Sequence, residues 1–286
     1  MTAEIKRHAV KIGDAEISYL EAGSKDNPIA LFLHGIPASA ELWRSVMIEV
    51  SEKGWHCIAP DLPGYGKTRL PTKGNYSLLG AALLLQEWLI QKKYKNVWLI
   101  GHDIGGGVAQ ILMTLDEQLF SHVTLSNCIT ASSWPVLSVR LMIWMAKFRL
   151  FRTSVKLGLF PNSYANWELR RAVFNSACLT PATVSRIFWD SKITDKQGQL
   201  AFQNMLASLD PKHTINNMIQ LRNVNLPVHL VWGLDDPNQQ WKGPGLLLSK
   251  IFPSAKITKL PNVGHFLQLE STQSYVSAIL QNDMDK

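Results

Sequence analysis

The residues best equipped for chemistry form the run Gly101-His102-Asp103-Ile104-Gly105. An apolar stretch precedes it, and a helix-forming stretch follows over 104–113. Small residues on both sides of a nucleophile allow a tight strand-to-helix turn that exposes the central side chain. That side chain would stand at a helix N-terminus, where backbone N–H groups favour negative charge. The central residue is Asp103 rather than Ser. A carboxylate is ionised at neutral pH and needs no base to activate it. It suits displacement at an sp³ carbon bearing a halide or a strained oxygen, not attack on an amide or ester. Taken alone, these five residues also describe an ordinary tight turn, so the chemical reading depends on partners elsewhere.

Three further segments supply them. His34-Gly35-Ile36-Pro37 ends an earlier apolar run. Its Ile36 N–H would face the N–H of Ile104 and complete an oxyanion hole. Trp232-Gly233-Leu234-Asp235-Asp236-Pro237 puts a carboxylate at a strand end, from either Asp235 or Asp236. Val263-Gly264-His265-Phe266 lies beyond the last strand. The chain order nucleophile, acid, His fits a strand–helix alternating fold. The expected cycle forms an alkyl ester on Asp103. His265, oriented by the acid, then deprotonates a water that hydrolyses the ester. The cycle calls for no metal and no organic cofactor, only a small apolar substrate and water.

The positioning elements follow from the apolar pattern. Alternation over 8–12 and 15–22 around Gly13-Asp14 reads as a hairpin. Strands are expected at 28–35, at the start of 56–64 before it runs into a Pro/Gly loop, and at 97–103, 122–128, 227–233 and 255–261. Helical stretches lie near 42–53, over 78–93 with Leu83, Leu84, Trp88 and Leu89 on one face, and over roughly 267–281. This alternation predicts an α/β fold with a mostly parallel, doubly wound, eight-stranded sheet. From about 131 to 211 no strand appears, and a helical insertion of about 80 residues is too long for a loop. The expected organisation is a core of 1–130 and 212–286 with a helical cap over 131–211.

The chain has 286 residues, 46% hydrophobic and 18% charged, which excludes disordered and coiled-coil classes. Cys57, Cys128 and Cys178 are too few for a disulfide framework or zinc site. No apolar leader and no run of about 20 apolar residues is visible, so a cytoplasmic location is expected. The net charge of +7 arises largely between 131 and 171. There Arg140, Lys147, Arg149, Arg152, Lys156, Arg170 and Arg171 face only Glu168. On one continuous helix, Arg149, Arg152 and Lys156 would oppose Arg140 and Lys147. These charges therefore read as a solvated exterior rather than a membrane contact. No motif supports nucleic-acid binding. Trp134, Met142, Trp144, Met145, Phe148 and Phe151 read as an apolar pocket roof or as cap core.

HGIPASAELWR (34–44), DLPGYGKT (61–68), GHDIGGGVAQ (101–110), WGLDDP (232–237) and NVGHF (262–266) resemble the α/β-hydrolase superfamily. They are most similar to its Asp-nucleophile branch of haloalkane dehalogenases and epoxide hydrolases. The resemblance implies Asp236 as the acid, with Asp235 the alternative. Some members carry the acid at the strand end before the cap, which is Asn127 here and cannot serve. The usual halide donors are a Trp after the nucleophile, here Ile104, and either an Asn in the first loop, here Ile36, or a cap Trp, and the Trp residues of this cap read as core rather than donors. Epoxide hydrolases use two cap Tyr. This cap has Tyr164, while Leu206 falls near the second position, leaving His213 as a substitute. His34 and Trp134 complete the candidate substrate contacts. The balance favours epoxide opening, with a dehalogenase as the alternative and a lyase, cyclase or ligand-binding relative as a third reading.

Overall fold

The apolar runs become eight hydrogen-bonded strands in one sheet. The computed structural model describes residues 4–281 apart from 72, 162 and 194. The strands are β1 (Lys6–Ile12), β2 (Ala15–Ala22), β3 (Ile29–Leu33), β4 (His56–Pro60), β5 (Val97–His102), β6 (Phe120–Ser126), β7 (Val228–Gly233) and β8 (Lys256–Leu260). Their order is β1-β2-β4-β3-β5-β6-β7-β8. β1 and β2 form the expected antiparallel hairpin, β2 pairs antiparallel with β4, and the remaining pairs are parallel. β4, β5 and β7 are buried along their whole length, as strands covered on both faces must be.

Helices α1 (Arg44–Ser51), α2 (Leu78–Gln91) and α3 (Ile104–Leu115) follow β3, β4 and β5. The buried face of α2 is Leu78, Ala81, Ala82, Leu85, Trp88 and Leu89, while Leu83 is exposed. The expected face was offset because leucines surround this helix, so apolarity alone cannot choose its inner side. The small residues decide it: a Cβ at Gly107 of α3 would crowd Leu78 and Ile129.

Between β6 and β7 the described chain is helical. It runs through α4 (Leu137–Lys147), α5 (Leu150–Lys156), α6 (Ser163–Ala172), α7 (Pro181–Val184), α8 (Asp190–Ile193), α9 (Lys196–Ser208), α10 (Lys212–Asn216) and α11 (Met218–Leu221). Arg149 has left-handed backbone (φ 59°, ψ 20°), which separates α4 from α5. Arg140 and Lys147 thus lie on one helix, and Arg152 and Lys156 on another, so the facing expected for a continuous helix does not apply. α12 (Leu246–Ile251) precedes β8. The last helical stretch divides at Ser271 into α13 (Leu267–Glu270) and α14 (Thr272–Leu280).

Alternate residues of the central strands feed opposite faces of the sheet. Leu31, Leu33 and Leu99 pack with α2 and α3, and Phe32, Trp98 and Ile100 pack with α1 and α14. A third cluster joins the insertion to the core. Ala38 and Leu42 meet Leu169, Phe188, Trp189 and Phe266 there. Cys57 and Cys128 are buried free thiols, and Cys178 is partly exposed. Among the described residues no helix is long and apolar enough to cross a membrane.

Candidate active site

Strand order sets the site's position. β3 and β5 are parallel neighbours, with Leu33 opposite Gly101. The chain leaves β3 toward β4 on one side, whereas β5 lies on the other. Loops at the carboxyl ends of such strands diverge and leave a crevice. The loop after β3 supplies Ile36, and the turn after β5 supplies Asp103. Asp103 adopts φ 51° and ψ −120°, a strained backbone for a residue with a side chain. Two glycines permit the fit. A Cβ at Gly35 would collide with the Asp103 side chain, and one at Gly105 with the Leu33 carbonyl.

The Asp103 carboxylate is buried. Its Oδ1 accepts the Ile36 N–H at 2.8 Å, and the Ile104 N–H also bonds to the carboxylate. The Asp103 Oδ2 atom lies 3.8 Å from His265 Nε2. His265 Nδ1 is 2.7 Å from Asp236 Oδ2. Of the two adjacent acids, Asp236 faces His265, whereas exposed Asp235 accepts the Asn262 N–H at 2.9 Å. Asn127 is the hidden member of the cluster. It donates to Asp236 Oδ2 at 2.8 Å and accepts the Gly233 N–H at 2.8 Å. The strand-end residue that cannot be an acid instead holds one. Glu270 is a second unforeseen group. It accepts N–H bonds from Gly264, Phe174 and Asn175, tying the His265 loop to the insertion.

Burial and charge set the protonation states. Burial raises the Asp103 carboxyl above its ordinary range, opposed by His265 and the two amide N–H groups. For Asp236 burial also works against the anion, but His265, Asn127 and Asn238 outweigh it and hold the carboxyl low. Burial disfavours the His265 cation, yet Asp236 and Asp103 prevail and carry His265 up to about 9.

Asp103 and His265 open onto a cavity of about 310 Å³ beneath the insertion. Its walls are mostly apolar and include Ile129, Met142, Met145, Phe160 and Phe266. Trp134 lines it, but its Nε1–H is committed to Thr214 Oγ1 at 2.9 Å. Trp189 likewise donates to Asn166 at 3.3 Å. His34 and His213 do not line the cavity. The His34 ring is locked in the floor of the fold: Nε2 accepts the Leu62 N–H and Nδ1 contacts the Gly35 carbonyl. His213 sits in α10, away from the lining residues. Tyr164 falls in α6, but its side chain lies outside the described residues. Leu206 is fully buried and offers no donor. Among the aromatic and Met group, Phe151 is core and Met142 and Met145 form roof, but Trp144 and Phe148 are exposed on the outside. Gln239 is a wall residue that sequence patterning did not single out. Its Oε1 is buried without a hydrogen-bond partner.

Lys192 of α8 is buried, with Nζ 5.1 Å from the Phe202 ring centre and 5.5 Å from that of Tyr65. Burial pushes its ammonium down to about 7, only partly offset by Asp61. The unfolded chain therefore binds one more proton than the fold between about pH 7 and the ordinary lysine range, and stability rises with pH across that window. Lys192→Met should raise thermal stability most below pH 7, by on the order of a few kcal/mol. The gain should shrink toward pH 10. A melting series over that range checks it, and a gain independent of pH would exclude this origin.

The family model for the alpha/beta hydrolase fold matches residues 28–272. The chain belongs to the α/β-hydrolase fold family and is a hydrolase. It is 25% identical over 287 residues to a haloalkane dehalogenase of Psychrobacter cryohalolentis, covering 96% of this chain and 91% of that protein. It is 35% identical over 147 residues to a soluble epoxide hydrolase of Corynebacterium, half of each chain. A haloalkane dehalogenase loop variant from Bradyrhizobium elkanii shares the fold, with a TM-score of 0.77 over 99% of this chain and 97% of that one at 18% identity.

Proposed function

We propose that the protein opens an apolar epoxide, or a related electrophilic sp³ carbon, through a covalent ester on Asp103. One observation carries the reading: a buried carboxylate, with Oδ1 bound by the Ile36 N–H and Oδ2 3.8 Å from Nε2 of His265, which in turn pairs with Asp236. Oδ2 attacks the ring carbon, the carbon–oxygen bond breaks, and the ring oxygen takes a proton from solvent, which His265 returns to solvent once the ester is hydrolysed. His265 then removes a proton from water, and the resulting hydroxide adds to the ester carbonyl carbon. The negative charge develops on Oδ1, between the Ile36 and Ile104 N–H groups. Collapse releases the diol and regenerates the carboxylate. Esterification also removes one of the charges that hold the His265 pKa high, so the neutral base becomes accessible in the intermediate that needs it. The helical insertion acts as the cap that excludes bulk water.

A halide would need N–H donors, and both indole groups on the cavity are committed to protein acceptors. Gln239 lines the cavity, and the Nε2–H2 end of its carboxamide, the end that can donate, is assigned as the contact for the substrate oxygen. Gln239→Leu should lower kcat/KM about 5- to 30-fold, the worth of one lost hydrogen bond, without lowering the melting temperature. Steady-state kinetics on the best epoxide checks it. Product analysis tests the function itself. Diol formed from an apolar epoxide panel supports epoxide opening. Halide release from a haloalkane panel, with no diol, assigns the dehalogenase reading. Neither product from folded protein points to a non-hydrolytic member of the fold.

A further inference from the structure

The outer surface of the insertion carries a feature that the reaction does not use. On α4, Leu137, Leu141 and Trp144, with Phe148 at its C-cap, are 80%, 48%, 52% and 63% exposed. At about 100° per residue these four positions fall within roughly 60° of one another. They form a stripe of large apolar side chains turned away from the core, with the Trp144 and Phe148 rings 5.1 Å apart. An exposed contiguous apolar patch of this kind marks an interaction site. Arg140 and Lys147 run along one edge of the stripe, and Arg149 follows at its end, all three exposed. None of the three forms an ion pair among the described residues. Leu141 belongs both to the stripe and to the cavity wall, and exposed Leu159 lines the same cavity. The apolar surface is therefore continuous from the outside of the molecule to Asp103.

We propose that this face docks on an anionic lipid bilayer and that apolar substrate enters the cavity directly from the membrane. An apolar helical stripe edged by Lys and Arg is the pattern that lies in a bilayer interface. Anionic headgroups would neutralise the unpaired basic groups. A second copy of the chain suits the face less well. An isologous dimer that pairs two α4 helices antiparallel across the stripe would set Arg140 and Lys147 beside the basic edge of its partner. Separation of α4 from α5 at Arg149 takes Arg152 and Lys156 off the α4 spiral, while Arg140 and Lys147 lie beside the stripe within α4 itself. The proposal does not depend on which bond the enzyme breaks.

Vesicle co-sedimentation of the full chain at low ionic strength tests it. Vesicles of phosphatidylcholine alone are compared with vesicles containing roughly one third phosphatidylglycerol. Partitioning onto the anionic vesicles should be at least about tenfold stronger. The double variant Trp144→Ser, Phe148→Ser should lose at least about tenfold of that binding while melting like the parent, since both side chains are exposed. The pair Arg140→Gln, Lys147→Gln should erase the preference for anionic lipid. The proposal is overturned if folded parent protein stays in the supernatant with both vesicle types, or if the Trp144, Phe148 variant binds as the parent does. It is equally overturned if light scattering shows a dimer that this variant converts to monomer, which would make the face a self-interface.

Discussion

His265→Gln should stop after one covalent step and accumulate the Asp103 ester. In the proposed cycle alkylation uses the Asp103 carboxylate, the backbone N–H groups that hold it, the Gln239 contact and a solvent proton, and the substitution removes none of these. Hydrolysis of the ester needs a base for water, and Gln supplies none. Turnover should fall by on the order of 10³-fold or more, while one equivalent of substrate binds covalently. Intact-protein mass spectrometry reads the outcome. An opened epoxide adds its full mass, because every atom is retained. A displaced haloalkane adds its mass less the hydrogen halide. The same measurement thus reports both the mechanism and the leaving group. Steady loss of turnover with no adduct, in protein that melts like the parent, would remove the ester from the reaction.

Asp103→Asn should abolish both turnover and adduct formation, a loss on the order of 10⁴-fold. The amide can still accept the Ile36 N–H through its oxygen but has no anionic oxygen for attack. The substitution is well placed for this test, since Asn tolerates positive φ better than most residues. It also removes a buried charge that burial already disfavours. The melting temperature should therefore hold or rise, the pattern of a residue kept for function at a cost to stability. Residual activity that grows with incubation time would signal deamidation back to Asp and is checked by mass. Stable full activity in Asp103→Asn would place the nucleophile elsewhere.

Asp103, Ile36, Ile104, Asp236 and His265 were legible because each sits where an apolar run ends. Strand ends are local features, and in a parallel sheet they share one edge. Asn127 was legible only in part. Its place at a strand end was visible, but its role needs Asp236, which is 109 residues away in the chain. Gln239 and Glu270 carried no local pattern, and neither did Lys192. Each matters because of what burial denies it or what distant backbone it meets. His34 shows the reverse, since a His beside the oxyanion loop invites a substrate role, yet the Leu62 N–H takes its ring nitrogen.

The insertion divides the two levels of information most clearly. Composition identified it as helical, apolar and basic, because periodicity and charge are properties of the chain itself. It could not say that α4 stops at Arg149, since one left-handed residue is a matter of packing and backbone rather than composition. That break takes Arg152 and Lys156 off the α4 spiral, and the packing of α4 leaves Trp144 and Phe148 outside. The sheet, the elbow and the order of the candidate site residues follow from short-range alternation and turn chemistry, which are properties of the chain alone. Only the tertiary structure decided which acid faces His265, which wall groups remain unpaired and where the cavity opens, because each depends on contacts between segments far apart in the chain.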